Sequence, residues 1–285
     1  MQDEITEAVT IAIAPAVARA EQKRAMRQPP NSLDAWAAYQ HGLWHLSKLT
    51  AQDTAAAEKF FQQAIDLDPM FSRAHGNLAV ARYYTSYIFG SHGPIEPLSS
   101  IEALARSALA LDSNDAETRS LLGLVLLLTG DYEGALAETE RALALCPNLP
   151  LAHAVLGITL IWSGQPKEGL KSFERFFRLN PSGPTAAPLL TQVVVAHYFC
   201  REYEAAVDAA KRAIQAFPDF PHAHFWLPAA LGQLGRALEA KEALQKATAI
   251  RSGMFDMYVR NRRPLFRTED YAHMLEGMRK AGWED

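Results

Sequence analysis

The sequence predicts an all-α protein in which helical hairpins stack on one another in a line. Three observations predict it. Residues 116–181 repeat with a period of 34: Leu122-Gly123 returns as Leu156-Gly157, Gly130 as Gly164, Ala135 as Gly169 and Pro147 as Pro181. Such a period means that each unit buries its apolar face against a copy of itself. Gly130 and Gly164 are followed by Asp131 and Gln165, where a glycine accepts the left-handed conformation that ends a helix. The composition, 49% apolar and 21% charged, is that of a folded chain.

Taken in order, residues 1–30 read as an N-terminal amphipathic helix. Ile5, Val9, Ile13 and Val17 fall four apart on one face, Pro15 interrupts the backbone ladder, and Pro29-Pro30 ends the segment. It either covers the first hairpin or connects to an upstream domain. Residues 31–250 form the array, of about six units. The first runs from Ser32 to Pro69, with Ala57, Phe61 and Ala64 on its second helix and Gly42 at the close crossing of the two helices, where a larger side chain would open voids. The second starts at Ser72 with Ala74, Leu78 and Ala79 and closes at Ala108-Leu109. An insertion near 84–100 interrupts it. Gly90, Gly93, Pro94 and Pro97 make that insertion a loop, with a lid over the groove as its functional reading.

Units three and four are the regular centre. A Ser-Gly-Pro bend then adds three residues, and unit five closes with Tyr203, Ala206, Ala210, Ala213 and Pro218. Unit six repeats it, Ala206 returning as Ala240 and Ala213 as Ala247. Its turn glycine is Gly235, and Pro228 predicts a local kink in its first helix. Residues 251–285 read as C-terminal capping helices. Thr268-Glu269-Asp270 looks like a helix start, and Tyr271, Met274, Leu275 and Met278 supply an apolar face that hides the end of the array.

The pattern Leu122-Gly123, Tyr132, Ala135, Ala142-Leu143 and Pro147 resembles the tetratricopeptide repeat (TPR). The resemblance implies a right-handed α-α superhelix with a concave protein-binding face, lined by fixed positions of each first helix. By register those positions are Glu117, Ser120, Leu124, Leu127 and Leu128 in unit three, and Leu151, Ala154, Ile158, Ile161 and Trp162 in unit four. Unit five gives Pro188, Thr191, Val195, Tyr198 and Phe199. Units one and two contribute Trp36, Tyr39 and Leu43, then Arg73, Val80, Tyr83 and Tyr84. The Lys, Asn and Arg with which the chaperone-binding branch clamps a terminal carboxylate are missing at the matching positions.

This stripe is apolar and aromatic, which suits an amphipathic helix laid in a groove. Five or six such side chains, at roughly 1.5–3 kcal/mol each before ordering costs, support micromolar binding. The alternative is that they pack within the superhelix. A stripe this apolar needs an occupant, whether a partner, the N-terminal helix or a second copy of the chain.

No reaction centre is legible. His41 and His45 lie four apart on one helix, but no Cys, Asp or Glu completes a metal set, and no Gly-x-Ser-x-Gly, HExxH or GxxxxGK[ST] motif occurs. No cofactor is implied. A net charge of −4 and the acidic Glu269-Asp270 after Arg260, Arg262, Arg263 and Arg267 argue against nucleic acid. Two cysteines in non-neighbouring units, Cys146 and Cys200, suggest reduced thiols. With no membrane span and an acidic start, the expected setting is cytoplasmic.

A second resemblance covers nearly the whole chain. Gln2-Asp3-Glu4-Ile5-Thr6-Glu7-Ala8-Val9, the stretch from Ala35-Trp36 to Gly42, and Glu269-Asp270-Tyr271 with Leu275-Glu276-Gly277 and Arg279-Lys280-Ala281-Gly282-Trp283 look like the C-terminal part of bacterial adenylate/guanylate cyclase-like proteins. The cyclase's metal-binding carboxylates have no counterpart. The resemblance implies a non-catalytic, protein-binding scaffold at the regulatory or assembly end of a signalling protein. A homo-oligomerisation domain is the alternative; a third reading, a cryptic enzyme, would need convergent titratable groups in one cleft, which the sequence does not offer.

Overall fold

The computed structural model describes residues 34–89, 97–180, 186–216, 218, 221–250, 255, 259–260 and 262–284. The N-terminal segment 1–30, the glycines of the insertion and the Ser-Gly-Pro bend lie outside the described residues. Among those described are thirteen α-helices and no strand. They are α1 (Ala35–Leu46), α2 (Ala51–Leu67), α3 (Ser72–Tyr83), α4 (Leu98–Leu111), α5 (Ala116–Thr129), α6 (Tyr132–Leu145), α7 (Pro150–Trp162), α8 (Pro166–Leu179), α9 (Ala186–Phe199), α10 (Tyr203–Ala216), α11 (Pro221–Gln233), α12 (Ala237–Ile250) and α13 (Thr268–Lys280). The chain divides into two compact units. Unit 1 holds residues 1–129, 133–155 and 178–180; unit 2 holds 130–132, 156–177 and 181–285.

In unit 1, α1 to α5 pack in succession, and first helices also touch first helices, α1 on α3 and α3 on α5. That double adjacency is what stacked hairpins require. The helix starts are fixed by side-chain caps. The Asp34 carboxylate accepts from the Ala37 N–H at 2.7 Å, Thr50 Oγ1 from the Asp53 N–H at 3.0 Å, and Asp115 from the N–H groups of Glu117 and Thr118. Each cap contributes about 1 kcal/mol. The core is small-residue packing around a few large ones. Ala38, Ala57, Phe61, Ala64, Ala74 and Leu78 are buried, and a Cβ on Gly42 would collide with the Phe61 ring.

The expected loop over 84–100 is not what forms at its start. Helix α3 runs on as a π-helical turn, Tyr84–Ile88, closed by the Phe89 N–H donating to the Tyr84 carbonyl at 2.9 Å. The one-residue widening is held by ring packing and a side-chain anchor. Tyr83 and Tyr87 stack at 5.8 Å, and Thr85 donates to the Glu58 carboxylate at 2.5 Å. Such turns are frequent at functional sites. Helix α4 then starts at Leu98, directly after Pro97.

In unit 2, α9, α10, α11 and α12 pack in succession, and α9 also meets α11. Alanines seven apart, Ala206 and Ala213 on α10 and Ala240 and Ala247 on α12, are buried where the helices meet. Pro228 lies inside α11, where the backbone ladder lacks one N–H. Helix α13 packs chiefly on α11 and only lightly on α12. Thr268, expected to cap this helix, is its first residue instead. Arg267 holds the cap position without a capping bond and sends its guanidinium to Asp270 at 2.7 Å.

Candidate functional site

The two units treat the face of their first helices differently. In unit 1 that face mixes packed and solvent-reaching side chains. Tyr39, Ser120 and Leu127 are buried, and Ser120 turns its hydroxyl back onto the Ala116 carbonyl at 2.8 Å. Leu43, Val80, Tyr83, Tyr84, Leu124 and Leu128 are half-buried, while Trp36, Arg73 and Glu117 are exposed. Trp36 stacks on Phe71 at 6.2 Å and lies 5.5 Å from the Tyr39 ring. Leu151 is half-buried and Ala154 buried on the part of α7 that belongs to unit 1.

Charge on this face is unusual. Glu117 touches solvent, yet protein surrounds enough of it that desolvation pushes its carboxyl above the usual range; Asp115 adds to the push and Arg73 opposes it. Arg73 and Glu117 feel each other, but no ion pair joins them among the described residues. Tyr39 accepts from Asn77 at 3.3 Å, and burial, then Glu117, drives its phenol well above its ordinary value. Burial pushes the Tyr84 phenol up to about 12.

In unit 2 the corresponding face is filled. Ile161, Trp162, Val195 and Tyr198 are buried, with Ile158 and Phe199 half-buried and Thr191 buried beside them. What buries the aromatic ones is residues 262–283 of the chain itself. Phe266 sits edge-on to Trp162 at 4.6 Å and stacks with Trp226 at 6.2 Å. The Tyr132 hydroxyl donates to the Leu265 carbonyl at 3.0 Å and the Tyr198 hydroxyl to the His273 carbonyl at 2.8 Å. Arg267 lies over Gly164, and Gly277 presses on the Ala229 carbonyl and the Tyr198 hydroxyl. The occupant expected for the stripe was a partner, the N-terminal helix or a second copy, and this segment reads in sequence as a cap. The small Gly277 opposite the small Gly232 is the one signal that points to its seat.

Other candidate chemistry resolves into structure. His45 bonds Asp53 at 2.8 Å, and with Lys48 and Thr50 this holds the Asp53 carboxyl down at about 2. His41 stacks on Phe60 at 5.1 Å. Among the described residues no three of His, Cys, Asp and Glu gather as a metal site, and no helix is long and apolar enough to cross a membrane. Cys146 and Cys200 are free thiols.

The description Tetratricopeptide repeat matches residues 116–149, and a second description of the same repeat matches residues 195–254. Over these two stretches the chain carries tetratricopeptide repeats.

Solved structures agree at the level of fold. Cut9, in the APC/C hetero-tetramer with Hcn1, superposes with a TM-score of 0.65 at 14% identity, over 94% of this chain and 47% of that one. A monomeric IFIT1 mutant with Gppp-AAAA gives 0.66 at 16% identity, over 93% and 63%. The chain therefore spans between about half and two thirds of these neighbours. No curated protein matches the sequence. Within the repeats, the turn glycines Gly130, Gly164 and Gly235 have φ of 90°, 93° and 71°, and the corresponding residue of the fifth repeat is Arg201, at 61°. A residue with a Cβ is strained there.

Proposed function

We propose that the chain is a non-catalytic scaffold that docks an amphipathic helix or peptide of a protein partner on the first-helix face of unit 1. The carrying observation is the pair of opposite charges, Arg73 and Glu117, standing unjoined on the first-helix face that also carries Trp36, Val80, Leu124 and Leu128. A desolvated charge left without a partner in the free protein is stabilised when a ligand supplies one. Cut9, similar in fold, is found in a hetero-tetramer with Hcn1, which supports a protein ligand. IFIT1 is seen with Gppp-AAAA, but one arginine facing Glu117 and Asp115 suits a mixed-charge peptide better than a polyanion.

Charge reversal tests the proposal. Arg73→Glu with Glu117→Lys should leave helicity by circular dichroism unchanged and abolish recovery of a partner that the native chain co-purifies and mass spectrometry identifies. Retention of that partner by the variant sinks the reading, and light scattering showing a dimer held by this face would assign it to a second copy instead. For context we favour the regulatory or assembly end of a cyclase-like signalling protein, on the strength of the terminal motifs from Gln2 and from Glu269. The coding sequence upstream tests it: a cyclase or DNA-binding domain is expected there.

A further inference from the structure

Residues 262–283 sit on unit 2 as a ligand sits on a receptor. Three of the polar contacts that hold them are aimed at main-chain carbonyls, which any peptide carries: Tyr132 to Leu265, Tyr198 to His273, and the Gln233 amide to His273 again at 3.4 Å. Side chains are read as well: His273 stacks on Tyr198 at 4.6 Å and bonds Tyr203 at 2.9 Å, and Lys280 donates to the Gln233 side chain at 2.9 Å. Phe266 enters between Trp162 and Trp226; Arg267 covers Gly164; and Gly277 allows backbone approach to Ala229 and Gly232. Met274 and Met278, both fully buried, fill the remaining space with flexible, adaptable side chains. The outward side of α13, with Glu269, Ala272, Glu276, Arg279 and Lys280, is exposed. Backbone-directed donors, one aromatic socket and one small-residue slot form a surface that takes a helix of matching shape and side-chain spacing.

We infer that the first-helix face of unit 2 is a second docking surface, separate from the proposed one on unit 1, which the chain's own C-terminal segment keeps closed. Its external ligand is a helix from a partner protein that bears the marks of the internal one: an aromatic anchor, a glycine eleven residues later, and methionine or leucine on either side of that glycine. Opening exchanges one such segment for another of like chemistry, so the balance is set by concentration and by the tether.

The probe is a fluorescein-labelled synthetic peptide of residues 262–283, offered to the intact chain and to its Phe266→Ala/Gly277→Leu variant. The variant's own segment should be released, seen as loss of hydrogen-exchange protection over 264–281 with α9 and α11 still protected. The peptide should bind this variant at least tenfold more tightly than wild type, and a peptide carrying the same two substitutions should bind neither. Equal binding to both proteins, or no binding to a variant whose segment is released, overturns the inference. Should the variant unfold, wild type decides: peptide with benzoylphenylalanine at position 266, in hundredfold excess, should photocrosslink to α7 and α11. Crosslinks elsewhere, or none, overturn it equally.

Discussion

Replacing Gly277 by alanine sets two effects of opposite sign against each other. Position 277 is inside α13, where alanine is preferred over glycine by about 1 kcal/mol, so local propensity alone makes the variant more stable. Packing argues the reverse. An alanine Cβ would stand 2.5 Å from the Tyr198 hydroxyl oxygen and 2.7 Å from the Ala229 carbonyl oxygen, and neither yields easily. Tyr198 is fully buried, and the Ala229 carbonyl belongs to the backbone of α11. Forcing α13 outward costs roughly 1–3 kcal/mol as overpacking. If the Tyr198 hydroxyl loses the His273 carbonyl, the stranded groups cost another ~1–3 kcal/mol. The net expectation is a loss near 3 kcal/mol, within a range of about 1–5. Urea unfolding should show a lower midpoint at unchanged slope, and hydrogen exchange should show the loss concentrated in 264–281. The two changes Tyr198→Phe and Gly277→Ala should be less than additive, because they share one contact. A Gly277→Ala protein as stable as wild type would refute the close approach of α13 to α11.

Three other outcomes are expected. Arg201→Gly should stabilise by about 1 kcal/mol, because glycine removes the left-handed strain at φ 61°; an unchanged or lower urea midpoint counts against the strain. Glu117 has a folded pKa above the ordinary 4.5, so protonation favours the fold and stability is lost as pH rises past that value. Glu117→Gln should therefore be more stable than wild type at pH 7 and equal to it near pH 3, by parallel urea titrations. His273, bonded to Tyr203 at 2.9 Å, has its pKa lowered below 6.5 by burial and then by Arg201, with Glu276 and Asp270 opposing and Lys280 adding to the depression. The neutral ring is the docked form, so protection of 264–281 should be full above pH 6.5 and fall as pH drops below it; His273→Gln should flatten that profile.

The helical hairpins were legible because stacking demands the same small residue at the same place in every unit. Ala206 and Ala240, or Gly130, Gly164 and Gly235, carry that demand openly, and even the strained Arg201 is visible as the missing glycine of the series. Register gave the face of each first helix but not its exposure. Tyr39 and Leu127 occupy the same kind of position as Arg73 and Glu117, and only neighbouring helices decide which of them meets water. The C-terminal segment was harder, because it follows no period. Tyr271, Met274 and Met278 announce a helix with one apolar side, while its seat depends on Phe266 finding Trp162 and Trp226 in helices far earlier in the chain. The π-helical turn at Tyr84–Ile88 was hidden for another reason: Gly90 and Pro94 advertise a loop, and one extra residue in a helix leaves no mark in apolar spacing.

The bond from Tyr132 to Leu265 joins residues 133 apart in sequence. Arrays of this kind ordinarily zip from neighbour to neighbour, each hairpin seated as soon as it is made. Here a stretch synthesised after the hairpins reaches back across three of them, so the second half of the molecule cannot finish assembling until that stretch has left the ribosome. Until then Trp162 and Trp226 lack the Phe266 ring that packs on both, and a nascent chain in that condition is what a chaperone, or an early-arriving binding protein, would meet first.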